Sequence, residues 1–222
     1  MAGKGKYYES QFEEATIELL RESHWQYTFG DDIHRKYTDP LIEEDLRTFL
    51  AAQYKDKKLT ASEVDGIVAN LRNTGGQNDY YALQNTFLLY RDGYDFTYSD
   101  GRDNPFRLQY IDFEHPDHNI FRCVNQFVME QGRENRRPDI LLFVNGIPVC
   151  IVELKNPTKQ NATIRDAHTQ ICTRYMRDIP ALLKYCALAV ISDGAKNELG
   201  TTYTPFEFFY EWKKIDNEDK AG

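Results

Sequence analysis

Three charged side chains flank a pair of apolar runs in the second half of the chain. Asp139 directly precedes the first run, and Glu153 and Lys155 close the second. Two carboxylates at the edge of a buried element are costly to ionise together unless a cation binds between them. Asp139, one Glu153 oxygen and the Leu154 carbonyl form a set of hard oxygen ligands suited to Mg²⁺, which usually keeps waters and takes phosphate oxygens as remaining ligands. These residues therefore predict a Mg²⁺ site that acts on a phosphate ester.

Lys155 would stand beside a water next to that metal. Its predicted roles are to position the water or help to deprotonate it, and to offset charge on the phosphate. The alternative is purely structural, in which Glu153 and Lys155 form a solvated ion pair at the end of a strand.

The site depends on the register of the hairpin that carries it. The two apolar runs flank Asn145-Gly146, which is typical of a β-hairpin buried on both faces. A regular two-residue loop would leave Asp139 and Glu153 on opposite faces of the sheet. A three-residue loop with a bulge at Gly146 would bring the three charged side chains to one side. We therefore predict the bulged turn, or an equivalent slip elsewhere in the hairpin.

The Pro-Asp pair followed by Glu-x-Lys resembles the PD-(D/E)XK nuclease superfamily. Further segments resemble the N-terminal nuclease domain of the R, or motor, subunit of type I restriction enzymes. These segments are Asn125-Gln126-Phe127, Asn135-Arg136-Arg137-Pro138-Asp139-Ile140, Phe143-Val144-Asn145-Gly146, Val152-Glu153-Leu154-Lys155-Asn156-Pro157 and Val190-Ile191-Ser192-Asp193-Gly194. Weaker similarity spans Ile111-Asp112-Phe113 and the first helix, so the resemblance covers most of the chain.

The resemblance implies an endonuclease domain with Asp139, Glu153 and Lys155 as catalytic residues. It implies that double-stranded DNA is cut at nonspecific sites after ATP-dependent translocation, and that methylation and specificity subunits are partners. ATP would be required by the full-length subunit and not bound by this chain, because the sequence contains no GxxxxGK[ST] phosphate loop. We therefore expect a fragment or stand-alone nuclease domain of a longer subunit. A catalytically silent DNA-binding or assembly module, and a repair nuclease of the same superfamily, are the alternatives.

An acid also stands on the apolar face of the first predicted helix, residues 8–23. Helical spacing puts Glu13 on one face with Ile17 and Leu20. In this nuclease superfamily a first-helix glutamate often completes the metal site, and Glu13 matches that position best, with Glu14 left open. The alternative is a glutamate whose stem packs while its carboxylate reaches water.

Related nucleases carry a Gln-x-x-x-Tyr pair near the scissile phosphate, and this chain departs from that pattern. Gln170 stands five residues before Tyr175, and Arg174 occupies the four-residue position. Five residues are about 140° around an α-helix, so Gln170 and Tyr175 share a face only across a π-bulge. We favour Gln170 with Arg174 as the DNA contacts. A bulge that restores Tyr175 is the second interpretation, and an ordinary polar helix face is the third.

The charge distribution places a DNA-facing surface near the hairpin. The net charge of −8 argues against a freestanding DNA-coating protein, yet residues 121–184 carry ten Lys and Arg against six Asp and Glu. The basic residues around the hairpin are Arg133, Arg136, Arg137, Lys159, Arg165, Arg174 and Arg177. We predict DNA contacts at Arg137 and Arg174, and weak, salt-sensitive DNA binding by the isolated chain.

The elements around this site predict an α/β fold, a restriction-endonuclease-like mixed β-sheet flanked by helices, with a helical N-terminal region. We divide the chain into a first helix with a helical lobe and hairpin (1–120), the nuclease core (121–200) and a tail leading to an absent motor domain (201–222). The predicted elements are helices from Asp39-Pro40 to about Tyr54, from the capping box Thr60-Ala61-Ser62-Glu63 to about Leu71, from about Asn78 to Tyr90 and from Thr163 to near Pro180, a hairpin around Asp100-Gly101, and a strand from Cys186 to Ser192.

The remaining candidates for chemistry are cysteines and histidines. The four cysteines lie in apolar segments without a CxxC pair, so we predict reduced core residues. His115 and His118 flank Pro116, and no further His or Cys ligand is evident, so we favour a surface loop over a metal site. Because the sequence has no long apolar run and no signal-peptide pattern, we expect a cytoplasmic protein without a membrane partner.

Overall fold

A mixed β-sheet forms the centre of the computed structural model, which describes residues 2–155 and 163–211, with side chains described from residue 10 onward. The sheet has seven strands in the order β1-β4-β7-β8-β9-β10-β11. Its strands are β1 Gln26–Phe29, β4 Phe121–Asn125, β7 Ile140–Val144, β8 Ile147–Leu154, β9 Leu188–Ser192, β10 Asn197–Gly200 and β11 Tyr210–Glu211. The β1-β4 and β8-β9 pairs are parallel and the other neighbours are antiparallel.

Helices and two small hairpins surround this sheet. The helices are α1 Ala2–Glu22, α2 Glu43–Gln53, α3 Ala61–Asn73, α4 Asp79–Asp92, α5 Ile164–Thr169, α6 Met176–Asp178 and α7 Pro180–Leu183, and the π-helical segment Gln170–Tyr175 joins α5 to α6. The small hairpins are β2 Tyr94–Phe96 with β3 Phe106–Leu108, and β5 Met129–Gln131 with β6 Glu134–Arg136. The predicted α/β class, with a mixed sheet flanked by helices, is confirmed.

Alternation along β7 and β8 divides the sheet into two buried faces, because successive strand residues point to opposite sides. Leu141 and Ile151 pack with Ile171 on the side of α5 and the π-helical segment. Ile140 and Val152 pack with Ile17 of α1 on the other side. The predicted hairpin, buried on both faces, is therefore confirmed.

A third apolar cluster forms the core of the helical lobe, which consists of α2, α3, α4 and the β2-β3 hairpin. Leu46, Ile67 and Tyr110 lie at its centre, and Ile147 at the start of β8 belongs to the same cluster. The lobe therefore packs against the turn end of the β7-β8 hairpin, the end away from Asp139 and Glu153.

The turn of the β7-β8 hairpin differs from the predicted three-residue bulge. Val144 pairs with Ile147, and Asn145 and Gly146 both have positive φ (52° and 76°), as a two-residue type I′ turn requires. The bulged turn was therefore wrong, and positive φ at Gly146 does not distinguish the two loops. The segment that leads into α2 contacts this turn directly, since the Ile42 amide donates to the Gly146 carbonyl (2.9 Å).

The alternative that we allowed, a slip elsewhere in the hairpin, is what the strands show. Leu142 pairs with Cys150 but Phe143 pairs with Pro148, so Val149 is an extra residue in β8. This β-bulge shifts the register by one beyond it, and Ile140 pairs with Val152. Continued one step, that register sets Asp139 opposite Glu153, on the same face of the sheet.

The lobe elements follow the predicted order with one corrected boundary. Helix α2 begins at Glu43 and not at Asp39-Pro40, because Asp39 Oδ1 instead accepts a hydrogen bond from the Leu41 amide (3.1 Å) in a turn before the helix. The capping box that opens α3 is formed, with Thr60 and Glu63 each bonding the other's backbone amide. Asn78 caps α4 and the β2-β3 hairpin is antiparallel, as predicted.

The division of the chain into segments 1–120, 121–200 and 201–222 stays a prediction, although the central sheet takes strands from all three. Within the described residues, the helices include none with the length and apolar character needed to cross a bilayer. The motif residues Asn156-Pro157, the basic residue Lys159 and the tail beyond residue 211 lie outside the described residues.

Candidate active site

Asp139 and Glu153 lie side by side at the open end of the β7-β8 hairpin. Asp139 Oδ2 accepts a hydrogen bond from the backbone amide of Leu154 (2.8 Å), which ties the start of β7 to the end of β8. The Lys155 amide donates to the Ser192 carbonyl (2.8 Å), so the strand end is also fixed to β9. Glu153 is 1 % exposed, and the two carboxyl groups lie within hydrogen-bonding distance of each other.

Lys155 joins this pair from the same side. Its Nζ donates to Glu153 Oε1 (2.7 Å) and to Gln170 Oε1 (3.0 Å), and 14 % of its side chain is exposed. These contacts, taken from the part of the chain that the structure describes, use two of the three N–H donors of the ammonium. The structure therefore brings together the three side chains that the sequence predicted to converge.

Gln170 and Tyr175 complete the arrangement through the π-helical segment. Gln170 Nε2 donates to the Tyr175 hydroxyl (2.7 Å), and that hydroxyl donates to Glu153 Oε2 (3.3 Å). In an α-helix these two positions would diverge by about 140°, and the wider π turn puts them on one face. The helix bulges as the second interpretation required, so Tyr175 and not Arg174 contacts Gln170. Arg174 is exposed, and DNA contacts by Gln170 and Arg174 stay a prediction.

Glu13 of α1 reaches the same site from across the sheet edge. Its carboxylate accepts hydrogen bonds from Asn125 Nδ2 (2.7 Å) and Gln126 Nε2 (3.1 Å). It lies near enough to Asp139 to raise the pKa of that carboxyl. Glu14, the open alternative, points to solvent. The structure thus places Glu13 and not Glu14 beside the other two carboxylates, and its role as a ligand stays a prediction.

Two residues that hold Glu13 had no assigned role in the sequence analysis. Asn125 ends β4, and Gln126 follows it with φ of 55° in the left-handed region. In that local conformation the side-chain amide of Gln126 faces Glu13. The backbone N–H of Gln126 donates to the Asp139 carbonyl (3.3 Å). The sequence signal was the Asn-Gln-Phe segment at 125–127, whose resemblance was noted without a function.

Burial and crowding set the protonation of the carboxyls. Desolvation, followed by the charge of Asp139, raises the pKa of Glu153 to about 8. Desolvation also raises the pKa of Asp139, and the Leu154 amide and Lys155 only partly oppose it. Desolvation and the nearby Glu153 raise the pKa of Tyr175, so its hydroxyl stays a donor. A divalent cation that binds between the Asp139 and Glu153 carboxyls would displace the proton that they share.

These groups line a cavity of about 480 Å³ that opens between α1, β7, β8 and the π-helical segment. Its lining includes Glu13, Arg137, Asp139, Glu153, Leu154, Lys155 and Gln170. The Asp139 and Glu153 carboxyls, both with raised pKa, have the oxygen chemistry that a hard divalent cation such as Mg²⁺ takes, and Glu13 lines the same cavity. The chemistry of these residues fits the predicted metal, and its binding stays a prediction.

Several basic residues near the hairpin contact other side chains. Arg136 and Arg177 both bond Asp178 (2.7 Å and 2.6 Å), and the Arg165 guanidinium lies over the Phe206 ring (4.2 Å). Arg137 is exposed at the cavity, and Arg133 and Arg174 are also exposed. Of the two arginines predicted to contact DNA, Arg137 therefore lies next to the carboxylates.

Comparison with known proteins agrees with the resemblance read from the motifs. Residues 6–208 match the family model described as type I restriction enzyme R protein N terminus. The chain is 30% identical to the type I restriction enzyme HindI endonuclease subunit of Haemophilus influenzae over 96% of its own length and 21% of the relative's. It is also 30% identical to the putative type I restriction enzyme MjaIXP endonuclease subunit of Methanocaldococcus jannaschii, over 93% of its length and 20% of the relative's. The chain spans about a fifth of the length of these curated relatives.

Proposed function

Because this chain belongs to the family of type I restriction enzyme R protein N termini, we propose that it is the Mg²⁺-dependent DNA endonuclease domain of such an R subunit. The observation that carries the proposal is the convergence of Asp139, Glu153 and Lys155 on one cavity edge. The proposed substrate is double-stranded DNA. ATP-driven translocation and the methylation and specificity subunits would be supplied by parts of the complex outside this chain.

The proposed metal ligands are the Asp139 and Glu153 carboxylates and the Leu154 carbonyl, with Glu13 as a further carboxylate. Bound Mg²⁺ would supply Lewis-acid stabilisation of the charge that develops on the phosphate. Asp139 is oriented for this role by the Leu154 amide, and Glu13 by the two amides of Asn125 and Gln126. Their fixed orientations support a preformed site.

Lys155 is proposed to act on water and phosphate. Its ammonium is held by hydrogen bonds to Glu153 and Gln170 among the described residues, and the proposal assigns its third N–H donor to the substrate. This donor can hold a water beside the phosphorus atom, and the positive charge of the ammonium can stabilise the negative charge that develops on the phosphate. Gln170 and Tyr175 act as positioning residues, because they hold Lys155 and Glu153 and not the reacting atoms.

Arg137 is proposed to position the DNA. Its guanidinium is exposed at the cavity, and arginine can bind a phosphate with two parallel N–H donors. Such backbone contacts orient the duplex without reading its sequence, as cutting at nonspecific sites requires.

The proposal is tested by plasmid cleavage with the full-length R subunit assembled with its partner subunits, in Mg²⁺ and ATP. Asp139→Ala and Lys155→Ala should abolish cutting while the ATPase rate stays unchanged. Glu13→Ala is paired with the control Glu14→Ala, which alters the neighbouring exposed carboxylate and should cut like the unmodified protein. Retained cutting by Asp139→Ala and Lys155→Ala would make the three side chains structural. Loss of ATPase together with cutting would identify a folding defect.

A further inference from the structure

Outside the candidate active site, the structure brings a third ligand to His115 and His118. The sequence favoured a surface loop because no other His or Cys lay near, but Asp112 folds back onto both rings. His118 Nδ1 lies 3.0 Å from Asp112 Oδ2 and His115 Nδ1 lies 3.7 Å from the same oxygen. We propose that Asp112, His115 and His118 form a second metal site, which takes Zn²⁺ or a similar divalent transition metal.

Asp112 is held as a ligand by the loop itself. The residue is only 5 % exposed, and its Oδ1 accepts hydrogen bonds from the amides of Glu114 (3.0 Å) and His115 (2.9 Å). Its Oδ2 accepts from Gln53 Nε2 of α2 (2.9 Å). These three donors stabilise the ionised carboxylate and fix the direction in which Oδ2 faces the imidazoles.

Oδ2 faces three polar groups. The Gln53 amide (2.9 Å) and the His118 ring (3.0 Å) lie within hydrogen-bonding distance of it, and these two contacts use its two lone-pair sites. His115 Nδ1, at 3.7 Å from the same oxygen, is too far for a hydrogen bond. One cation bound by Oδ2 and both Nδ1 atoms, with each imidazole neutral and protonated on Nε2, satisfies all three groups together.

The spacing fits a tetrahedral transition metal. With metal–nitrogen and metal–oxygen distances of about 2.0 Å, tetrahedral ligand atoms lie about 3.3 Å apart. The observed separations of 3.0 and 3.7 Å from Oδ2 bracket that value, and one ligand atom from each of the three side chains lies within 4.8 Å of the others. The rings already stack with centroids 4.9 Å apart.

Solvent access leaves a fourth position open. The His115 and His118 side chains are 61 % and 51 % exposed, so a hydrated ion can reach them and keep a water. Imidazole nitrogen favours Zn²⁺, Ni²⁺ or Cu²⁺ over Mg²⁺, which separates this site by chemistry from the carboxylate cavity.

The site is also distant from that cavity. Asn119 accepts from the Asp112 amide and from Asn145 in the β7-β8 turn (2.9 and 2.8 Å), so the loop lies at the turn end of the hairpin. About six strand residues, or roughly 20 Å, separate the turn from Glu153. A metal bound here would fix the 112–118 loop to α2 through Gln53. It would leave the phosphate chemistry of the candidate active site unchanged.

The test is Zn²⁺ titration by calorimetry, and Co²⁺ binding followed by its visible absorption, on the chain without a polyhistidine tag. An Asp139→Asn, Glu153→Gln background removes two of the three carboxylates at the proposed Mg²⁺ site. One equivalent of Zn²⁺ should bind in that background, and thermal unfolding should shift to a higher temperature in Zn²⁺. His118→Gln and His115→Gln should each weaken Zn²⁺ binding by about tenfold or more, because each removes one of three protein ligands.

His34→Gln, which changes an exposed histidine elsewhere, is the matched control and should bind Zn²⁺ unchanged. Histidine variants are preferred to Asp112 variants because Asp112 also caps backbone amides of the loop. Failure to bind one equivalent in the doubly substituted background would overturn the proposal, and so would equal affinity in His118→Gln. Plasmid cleavage by the complex in Mg²⁺ should be the same with and without His118→Gln, so the result is independent of the proposed nuclease function.

Discussion

Glu63 in the helical lobe and Glu153 in the central sheet are the same residue type in equally buried positions with opposite pKa shifts. Their side chains are 4 % and 1 % exposed. Hydrogen bonds from Arg102 and then from the Thr60 amide lower the pKa of Glu63 to about 2. Burial and then the charge of Asp139 raise the pKa of Glu153 to about 8.

The difference lies in how completely the surroundings satisfy each carboxylate. Glu63 receives two guanidinium N–H groups (2.8 and 2.6 Å) and both the amide and hydroxyl of Thr60. Glu153 receives one ammonium and one long hydroxyl contact, and it faces a second carboxyl. A buried carboxylate that its own protein satisfies supports the fold, whereas one left short of positive charge indicates a site for a cation.

The largest expected difference between the two glutamates is in DNA cleavage. Glu153→Gln should lower the cleavage rate of the assembled complex by about 10³-fold, because a neutral amide is a poor ligand for a hard cation and stabilises less charge. Glu63→Gln should leave the rate within about twofold in the same plasmid assay at a temperature where both variants are folded. Equal losses in both variants would mean that Glu153 acts through folding and not through chemistry.

The second difference is in how the free energy of unfolding depends on pH. The folded chain keeps a proton on Glu153 up to about pH 8, whereas the unfolded chain loses it near pH 4.5, so stability falls as the pH rises through this window. Glu153→Gln should remove that fall and stabilise the metal-free chain above pH 8 by about 3 kcal/mol as an order of magnitude. Urea unfolding in a chelator at several pH values measures the gain, which should shrink toward pH 4.5.

Glu63 should give the opposite pH profile. Its pKa is lowered, so its contribution to stability is present above pH 4.5 and is lost as the pH falls toward about 2. Glu63→Gln should therefore lower the unfolding temperature at pH 7. A stabilising effect of this substitution would contradict the contrast between the two sites.

Two glycines with similar backbone angles allow the β7-β8 hairpin of the central sheet to be compared with the β2-β3 hairpin of the lobe. Gly146 in the β7-β8 turn and Gly101 in the lobe have φ of 76° and 65°. A Cβ at Gly146 would meet the Ile42 carbonyl oxygen at 2.1 Å, whereas a Cβ at Gly101 would meet nothing within 4 Å. Gly101→Ala should cost about 1 kcal/mol of unfolding free energy from backbone strain alone, and Gly146→Ala at least about 2 kcal/mol. Equal losses in denaturant titrations would exclude close packing of the lobe on the turn.

The smallest predicted effect tests the lobe alone. Thr60→Ala removes the hydroxyl that accepts from the Glu63 amide (3.2 Å) at the start of α3. The expected loss is about 1 kcal/mol of unfolding free energy, typical of a helix N-cap, with DNA cleavage by the complex unchanged. A change in cleavage at a temperature well below unfolding would show that the lobe and the active site are coupled.

Interactions between residues close in the sequence allowed much of the fold to be predicted. The Thr60 capping box, the Asn78 cap and the alternating aromatic residues of the β2-β3 hairpin each depend on neighbours within a few positions, and the structure contains all three. The start of α2 was misplaced, because Asp39 forms a turn with Leu41 before the helix. Next to that turn, the Ile42 amide donates to the Gly146 carbonyl of the β7-β8 turn, which lies far away in the sequence.

By itself the sequence determined which side chains we predict to carry the chemistry, because carboxylates and a lysine beside long apolar runs are unusual and their types limit what they can bind. The tertiary structure alone decided how they meet. The extra residue at Val149 sets Asp139 opposite Glu153, and the π-helical segment turns Tyr175 toward Gln170 in place of Arg174. Each feature is a one-residue irregularity, and packing between elements distant in the sequence offsets its cost in free energy. The periodic pattern of apolar residues does not reveal such packing.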